Sequence, residues 1–102
     1  MVMTAFPDED TCRIITGELL AARLAACIQT FPVSSAYRWQ GTIHHDRETL
    51  ALIKSTVDCY PAVEALIRKN HPYECPEILC LPITAGLPGY LSWLQNECRQ
   101  AE

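Results

Sequence analysis

The sequence predicts an α+β domain of ferredoxin-like order, β-α-β-β-α-β, with one further helix at its end. Three observations predict it. Two helical segments, one opening at Asp8 and one capped near Asp58, are separated by a long alternating stretch from about 27 to 56. Short β-rich runs flank this unit, at the N-terminus and after Pro76. A third apolar seam at helical spacing closes the chain. Such an order places the helices on one face of a mostly antiparallel four-stranded sheet. The other face is left to water or to a partner.

Each element has its own warrant. Val2 to Ala5 is a short apolar stub of strand. Asp8 is a good N-cap, and Glu9 and Asp10 suit the positive end of a helix dipole. Apolar residues at 12, 15, 19, 22 and 26, with Leu20 and Leu24 beside them, mark one face of a helix running to about Ala26. Cys27 to Thr56 reads as a long hairpin, with Gln40-Gly41 as its turn. Asp58 is expected to cap a second helix, with Pro61 tolerated in the first turn. Pro72 disfavours helix at His71, so that helix stops there. Ile78 to Thr84 reads as a strand, interrupted or at an edge because of Pro82. Gly86, Pro88 and Gly89 form a loop, and Tyr90, Leu91, Leu94 and Cys98 form the seam of the last helix.

The bulk numbers set limits. A chain of 102 residues is one domain, 1–102. It is 49% hydrophobic and 20% charged, apolar enough for so short a chain to hide surface in an oligomer. Twelve acidic against eight basic residues give a net charge of −4, with no basic patch. Nucleic acid and anionic membrane are therefore poor partners. No apolar run has the length of a membrane span, and the N-terminus lacks a signal peptide's basic region. A cytoplasmic location is expected, with six reduced cysteines. Cys12, Cys27, Cys59, Cys80 and Cys98 read as small core residues. Cys75 differs, because it lies in a polar connector, Asn70-His71-Pro72-Tyr73-Glu74-Cys75-Pro76-Glu77-Ile78. Stiff connectors between two elements are where sites tend to sit.

No nucleophile motif, phosphate-binding glycine loop or acid/base pair stands out, so no enzyme is expected. His44-His45-Asp46 with Glu48 offers imidazole and carboxylate at short spacing. On a strand, however, His44 and His45 point to opposite faces. A solvated hairpin segment is the plainer reading.

Several runs, taken in order, resemble one family. They are Leu24-Ala25-Ala26-Cys27, Ser35-Ala36-Tyr37-Arg38-Trp39-Gln40-Gly41-Thr42-Ile43, Ile53-Lys54-Ser55-Thr56, His71-Pro72-Tyr73-Glu74-Cys75-Pro76-Glu77-Ile78 and Gly89-Tyr90-Leu91-Ser92-Trp93-Leu94. Together they resemble the CutA divalent-cation tolerance proteins, from Thr4 to about Glu97. The resemblance implies a tight homotrimer with clefts between subunits, and a role in copper and divalent-metal tolerance. Its copper ligands are a cysteine near the first strand and two adjacent histidines. Carried over, only His71 fits: the first histidine falls on Asn70, and the cysteine falls near Met3 or Thr4. His71 is thus the metal candidate, for copper or another divalent cation. At a helix end the same ring can instead cap carbonyls. The family's first strand is usually longer than Met1 to Ala5, so either the chain begins late or the sheet tolerates a short centre.

The resembling trimer also gathers aromatic and charged residues near its clefts. Here these are Tyr37, Trp39, Lys54, Tyr73, Glu77, Tyr90 and Trp93, beside His71. Aromatic walls with a few polar groups suit a small-molecule site. A lysine and a glutamate such as Lys54 and Glu77 could also neutralise each other, and Trp93 on the last helix has a packing role as its plainer reading. Two functions follow: a trimeric copper and divalent-cation tolerance protein with weak metal binding, or a PII-like trimeric sensor holding a small molecule in its cleft.

Overall fold

The computed structural model describes residues 1–99. Their order is β1 (Val2–Phe6), α1 (Glu9–Ala21), β2 (Cys27–Trp39), β3 (Thr42–Lys54), α2 (Tyr60–Asn70), β4 (Ile78–Cys80) and α3 (Pro88–Glu97). The four strands form one sheet in the order β2-β3-β1-β4, with every pairing antiparallel. This is the predicted split arrangement, with the short β1 held between β3 and β4.

Pleat alternation divides the sheet into two unlike faces. Val2, Thr4 and Phe6 of β1 lie opposite Ile53, Ala51 and Thr49 of β3, and all six are buried. Cys12, Ile15, Thr16 and Leu19 of α1 and Val63 and Ile67 of α2 close this core. The opposite face carries Met3, Phe31, Leu50, Leu52 and Leu79. Phe31 and Leu79 stand 42% and 53% exposed there, an apolar sheet face open to solvent.

Helix α1 starts as predicted: the Asp8 carboxylate accepts from the Thr11 N–H at 2.7 Å, and that bond holds the carboxyl below its ordinary pKa. It ends five residues earlier than predicted, at Ala21. Arg23 adopts φ +57°, the Leu24 N–H reaches Leu19 O, and the Arg23 N–H reaches Leu20 O, both at 3.0 Å. That is a Schellman stop, and its usual apolar contact is available because Leu19 and Leu24 are both buried. The apolar periodicity ran on through Leu24 to Ala26, so the sequence hid the break.

Two other boundaries also move. Asp58 does not cap α2. The N-cap is Cys59, whose own side chain makes no cap bond, and the Thr56 hydroxyl accepts from the Cys59 N–H at 3.3 Å. Strand β4 stops at Cys80 instead of Thr84: Leu81 still exchanges backbone bonds with Met1, and Pro82 then has no N–H to give. Cys80 is accordingly exposed and Cys27 half-buried, so only Cys12, Cys59 and Cys98 are core thiols.

The hairpin runs thirteen residues in each strand and stretches the molecule to 44 Å against 26 and 22 Å. Its two-residue turn needs positive φ at both positions, supplied by Gln40 at +51° and Gly41 at +79°. Beyond Val33 it leaves the helices behind, and most of its side chains are exposed.

Candidate functional site

The turn fixes the hairpin register, and the register fixes the site. Tyr37 lies opposite His44, Trp39 opposite Thr42, and Val33 opposite Glu48. Alternation therefore puts Tyr37, Trp39, His44, Asp46 and Glu48 on one face. The Tyr37 and His44 rings stack at 5.4 Å, and Tyr37 donates to the Asp46 carboxylate. This bond raises the Tyr37 hydroxyl above its ordinary pKa. His45 lies opposite Ala36, on the other face, so the two histidines do not share a metal.

The connector faces that surface. Pro72 forces His71 into an extended conformation, φ −77° and ψ 136°, and ends α2. The next residues cross back toward the hairpin. Tyr73 Oη donates to Glu48 Oε2 at 3.0 Å. Burial, and then this bond, push the Tyr73 phenol well above its ordinary pKa. Between connector and hairpin lies an open groove of about 720 Å³. Tyr37, Trp39 and Tyr73 give its aromatic walls, and Glu48, Glu74, Glu77 and Cys75 its polar groups. Among the described residues, no basic side chain lines it.

His71 stands behind this groove, only 8% exposed. Its Nε2 lies 2.7 Å from Ala5 O, and its Nδ1 accepts the Tyr73 N–H at 3.1 Å. An acceptor Nδ1 makes Nε2 the protonated nitrogen, so the ring is neutral and both nitrogens are engaged. It stacks on Phe6 at 5.1 Å and tilts against Tyr73 at 4.7 Å. The ring thus braces β1 against the connector; it does not cap a helix carbonyl. Among the described residues, no three His, Cys, Asp or Glu side chains converge to hold a metal ion.

The other predicted residues are elsewhere. Lys54 sits six residues along β3 from Glu48, roughly 20 Å away at strand rise. It donates to Gln29 and not to Glu77. Tyr90 and Trp93 lie on α3, their rings 5.5 Å apart. Trp93 is 42% exposed. Tyr90 interacts with Cys27, which lies opposite Lys54, and these residues mark the other end of the sheet. One chain therefore brings together Tyr37, Trp39, Tyr73 and Glu77, with His71 behind them, and leaves Lys54, Tyr90 and Trp93 apart. Glu48 and Asp46 emerge as the carboxylates that fix the two tyrosines. Counting back from the Gln40-Gly41 turn would have found both.

Comparison with known proteins agrees with this architecture. The family described as CutA1 divalent ion tolerance protein matches residues 1–97. A divalent-cation tolerance protein CutA from Thermus thermophilus is 41% identical over 94% of each chain. The solved divalent cation tolerance protein (Cut A1) from Thermus thermophilus superposes with a TM-score of 0.93, at 39% identity and 96% coverage of both chains. A structure named as the periplasmic divalent cation tolerance protein CutA of Archaeoglobus fulgidus gives 0.92, at 28% identity and 94% coverage of both. With its order of elements, its connector and its hairpin all matched along nearly the whole length, the chain belongs to the CutA family of divalent-cation tolerance proteins.

Proposed function

We propose that the protein serves divalent-cation tolerance as a homotrimer that binds copper or another divalent cation weakly and transiently at the groove. The observation that carries this reading is the groove's charge. Glu48, Glu74 and Glu77 line it with the Cys75 thiol, and no cation is built in. Carboxylates suit hard and borderline cations, and a thiol suits Cu(I). The described residues of one subunit bring no three donors together, so its hold on a metal is weak until a neighbour adds to it. The Nδ1 of His71 reaches a metal only by giving up the Tyr73 N–H, which also favours transient binding.

The trimer reading rests on the bare apolar face of Met3, Phe31, Leu50, Leu52 and Leu79. Sister copies covering that face would bring Lys54, Tyr90 and Trp93 of one subunit toward the groove of another. A scattering mass near 11.5 kDa, instead of three times that value, would refute the assembly. Six unbridged thiols support a cytoplasmic location, which cell fractionation tests directly.

Calorimetry with copper and zinc on the wild type, Glu77→Gln and His71→Ala tests the metal reading. Weak heat in the wild type, reduced in both variants, is expected. No heat above dilution with either metal would end it. The aromatic walls Tyr37, Trp39 and Tyr73 favour a second reading, a PII-like sensor of a small organic ligand. A metabolite that raises the melting temperature where metals do not would select this second reading.

A further inference from the structure

We propose that Cys59 and Cys98 form a redox-sensitive clasp, in which a peroxide converts two buried thiols into a disulfide that ties α3 to the start of α2. The groove and the cation reading use neither residue. Cys59 is the N-cap of α2 and Cys98 is the C-cap of α3. They are 4% and 1% exposed and belong to one core cluster. The Cys59 thiol donates to Arg99 O at 3.4 Å, which places its sulfur against the backbone next to Cys98. The two side chains are neighbours in that cluster. Neighbouring thiols from the ends of two different helices are the arrangement that a disulfide requires.

The site also has a mechanical consequence. Leu94 is the buried side chain that anchors the body of α3. Beyond it, the Arg23 guanidinium donates to Asn96 O at 2.7 Å and Glu97 O at 3.0 Å, Arg23 O accepts the Arg99 N–H at 2.7 Å, and Cys98 is buried in the core. A covalent bond at Cys98 would add a permanent tie to these non-covalent ones. It would also fix Tyr90 and Trp93, which α3 presents to solvent.

The chemistry balances with one peroxide. The Cys59 thiolate attacks a peroxide oxygen, the O–O bond breaks, and hydroxide leaves a sulfenic acid behind. The Cys98 thiolate attacks that sulfur, and a second hydroxide leaves as the S–S bond forms. Two thiols give up two electrons and two protons, and the peroxide becomes two waters. Burial, with the Cys59 thiol beside it, raises the Cys98 thiol above its ordinary pKa, so Cys98 rests as a thiol.

The test uses the full chain carrying Cys75→Ser and Cys80→Ser, which removes the exposed thiols. After treatment with hydrogen peroxide, the intact mass is expected to fall by two hydrogens. Peptide mapping under alkylation should join the Cys59 and Cys98 fragments. The melting temperature should rise by about 10 °C, and a dithiol reductant should reverse it. Adding Cys98→Ser should abolish the mass loss and the shift. The mapping needs only the parent protein, so it decides the matter even if that variant folds poorly. Oxygen addition without a link, a bridge from Cys12 or Cys27, or an unchanged melting temperature in the linked form would overturn the clasp.

Discussion

Under the helices, β3 carries Ala51 and Ile53, both fully buried; at its outer end the same strand carries Thr42 and Ile43, both exposed. The ladder to β2 is continuous between these points, so the backbone is equally well paired in both. What differs is the side-chain environment. The base of the sheet is stabilised by burial against α1 and α2. The arm is held by its register, its turn and a few ring contacts such as Tyr37 on His44. A two-stranded ribbon without a core is marginal in water. The base therefore has a core to hold it, whereas the arm has little beyond its own pairing, and the groove lies where the arm meets the connector.

The sharpest way to break this comparison is to truncate one large side chain in each region. Phe6 is fully buried and stacks on His71. Phe6→Ala should cost about 3–5 kcal/mol in denaturant unfolding, enough to threaten the fold. Trp39→Ala, at a site 42% exposed, should change the stability of the dissociated chain by less than about 0.5 kcal/mol. If the arm packs between subunits, its cost appears instead as a lower assembly mass in sedimentation. Equal unfolding costs for the two in the dissociated chain would contradict the division.

A smaller effect comes from the turn that sets the arm's register. Gly41 sits at φ +79°, with open space where a Cβ would go, so a substitution there meets backbone strain and no clash. Gly41→Val should cost roughly 1–2 kcal/mol in the same unfolding experiment. It should also weaken the Tyr37–His44 stack, seen as changed ring shifts by NMR. In the base, the matching weak point is Thr4, whose buried Oγ1 lacks a partner among the described residues. Thr4→Val keeps the shape and removes the orphan hydroxyl, and should stabilise the chain by about 1 kcal/mol.

How legible each region was follows from the same contrast. The helix faces and the hairpin turn speak through local signals, namely Asp8 as a cap, Gln40-Gly41 as a turn and Pro72 as a stop. All three hold in the structure. The end of α1 did not speak, because Leu24 continues the apolar period while serving the Schellman contact. The split of the cleft residues was also hidden. Tyr37 and Tyr73 meet because a strand register and a connector converge, whereas Lys54 and Tyr90 share a sequence pattern with them but sit at the far end of the sheet. Nor could spacing show that His71 spends both nitrogens on Ala5 and Tyr73, since that depends on where β1 passes.

The finest test concerns a side-chain bond that ties the connector to the arm, Tyr73 Oη to Glu48 Oε2. Tyr73 is 37% exposed, so the bond is partly screened and Tyr73→Phe should cost only about 0.5 kcal/mol at neutral pH. Its pH signature is more telling than its size. In the folded chain the phenol is raised above its ordinary value of 10.0, so the folded state keeps the proton longer than the unfolded state does. The stabilisation is therefore fully present below pH 10 and is lost as pH climbs through the folded pKa. Tyr60 behaves with the same sign, pushed up to about 12 chiefly by its bond to Glu64, and lies away from the groove. Tyr73→Phe should flatten the alkaline fall in melting temperature while Tyr60→Phe leaves the Tyr73 share intact. If Tyr73→Phe leaves the alkaline slope unchanged, the connector is not fastened to the arm in solution, and the groove is not a fixed feature of the single chain.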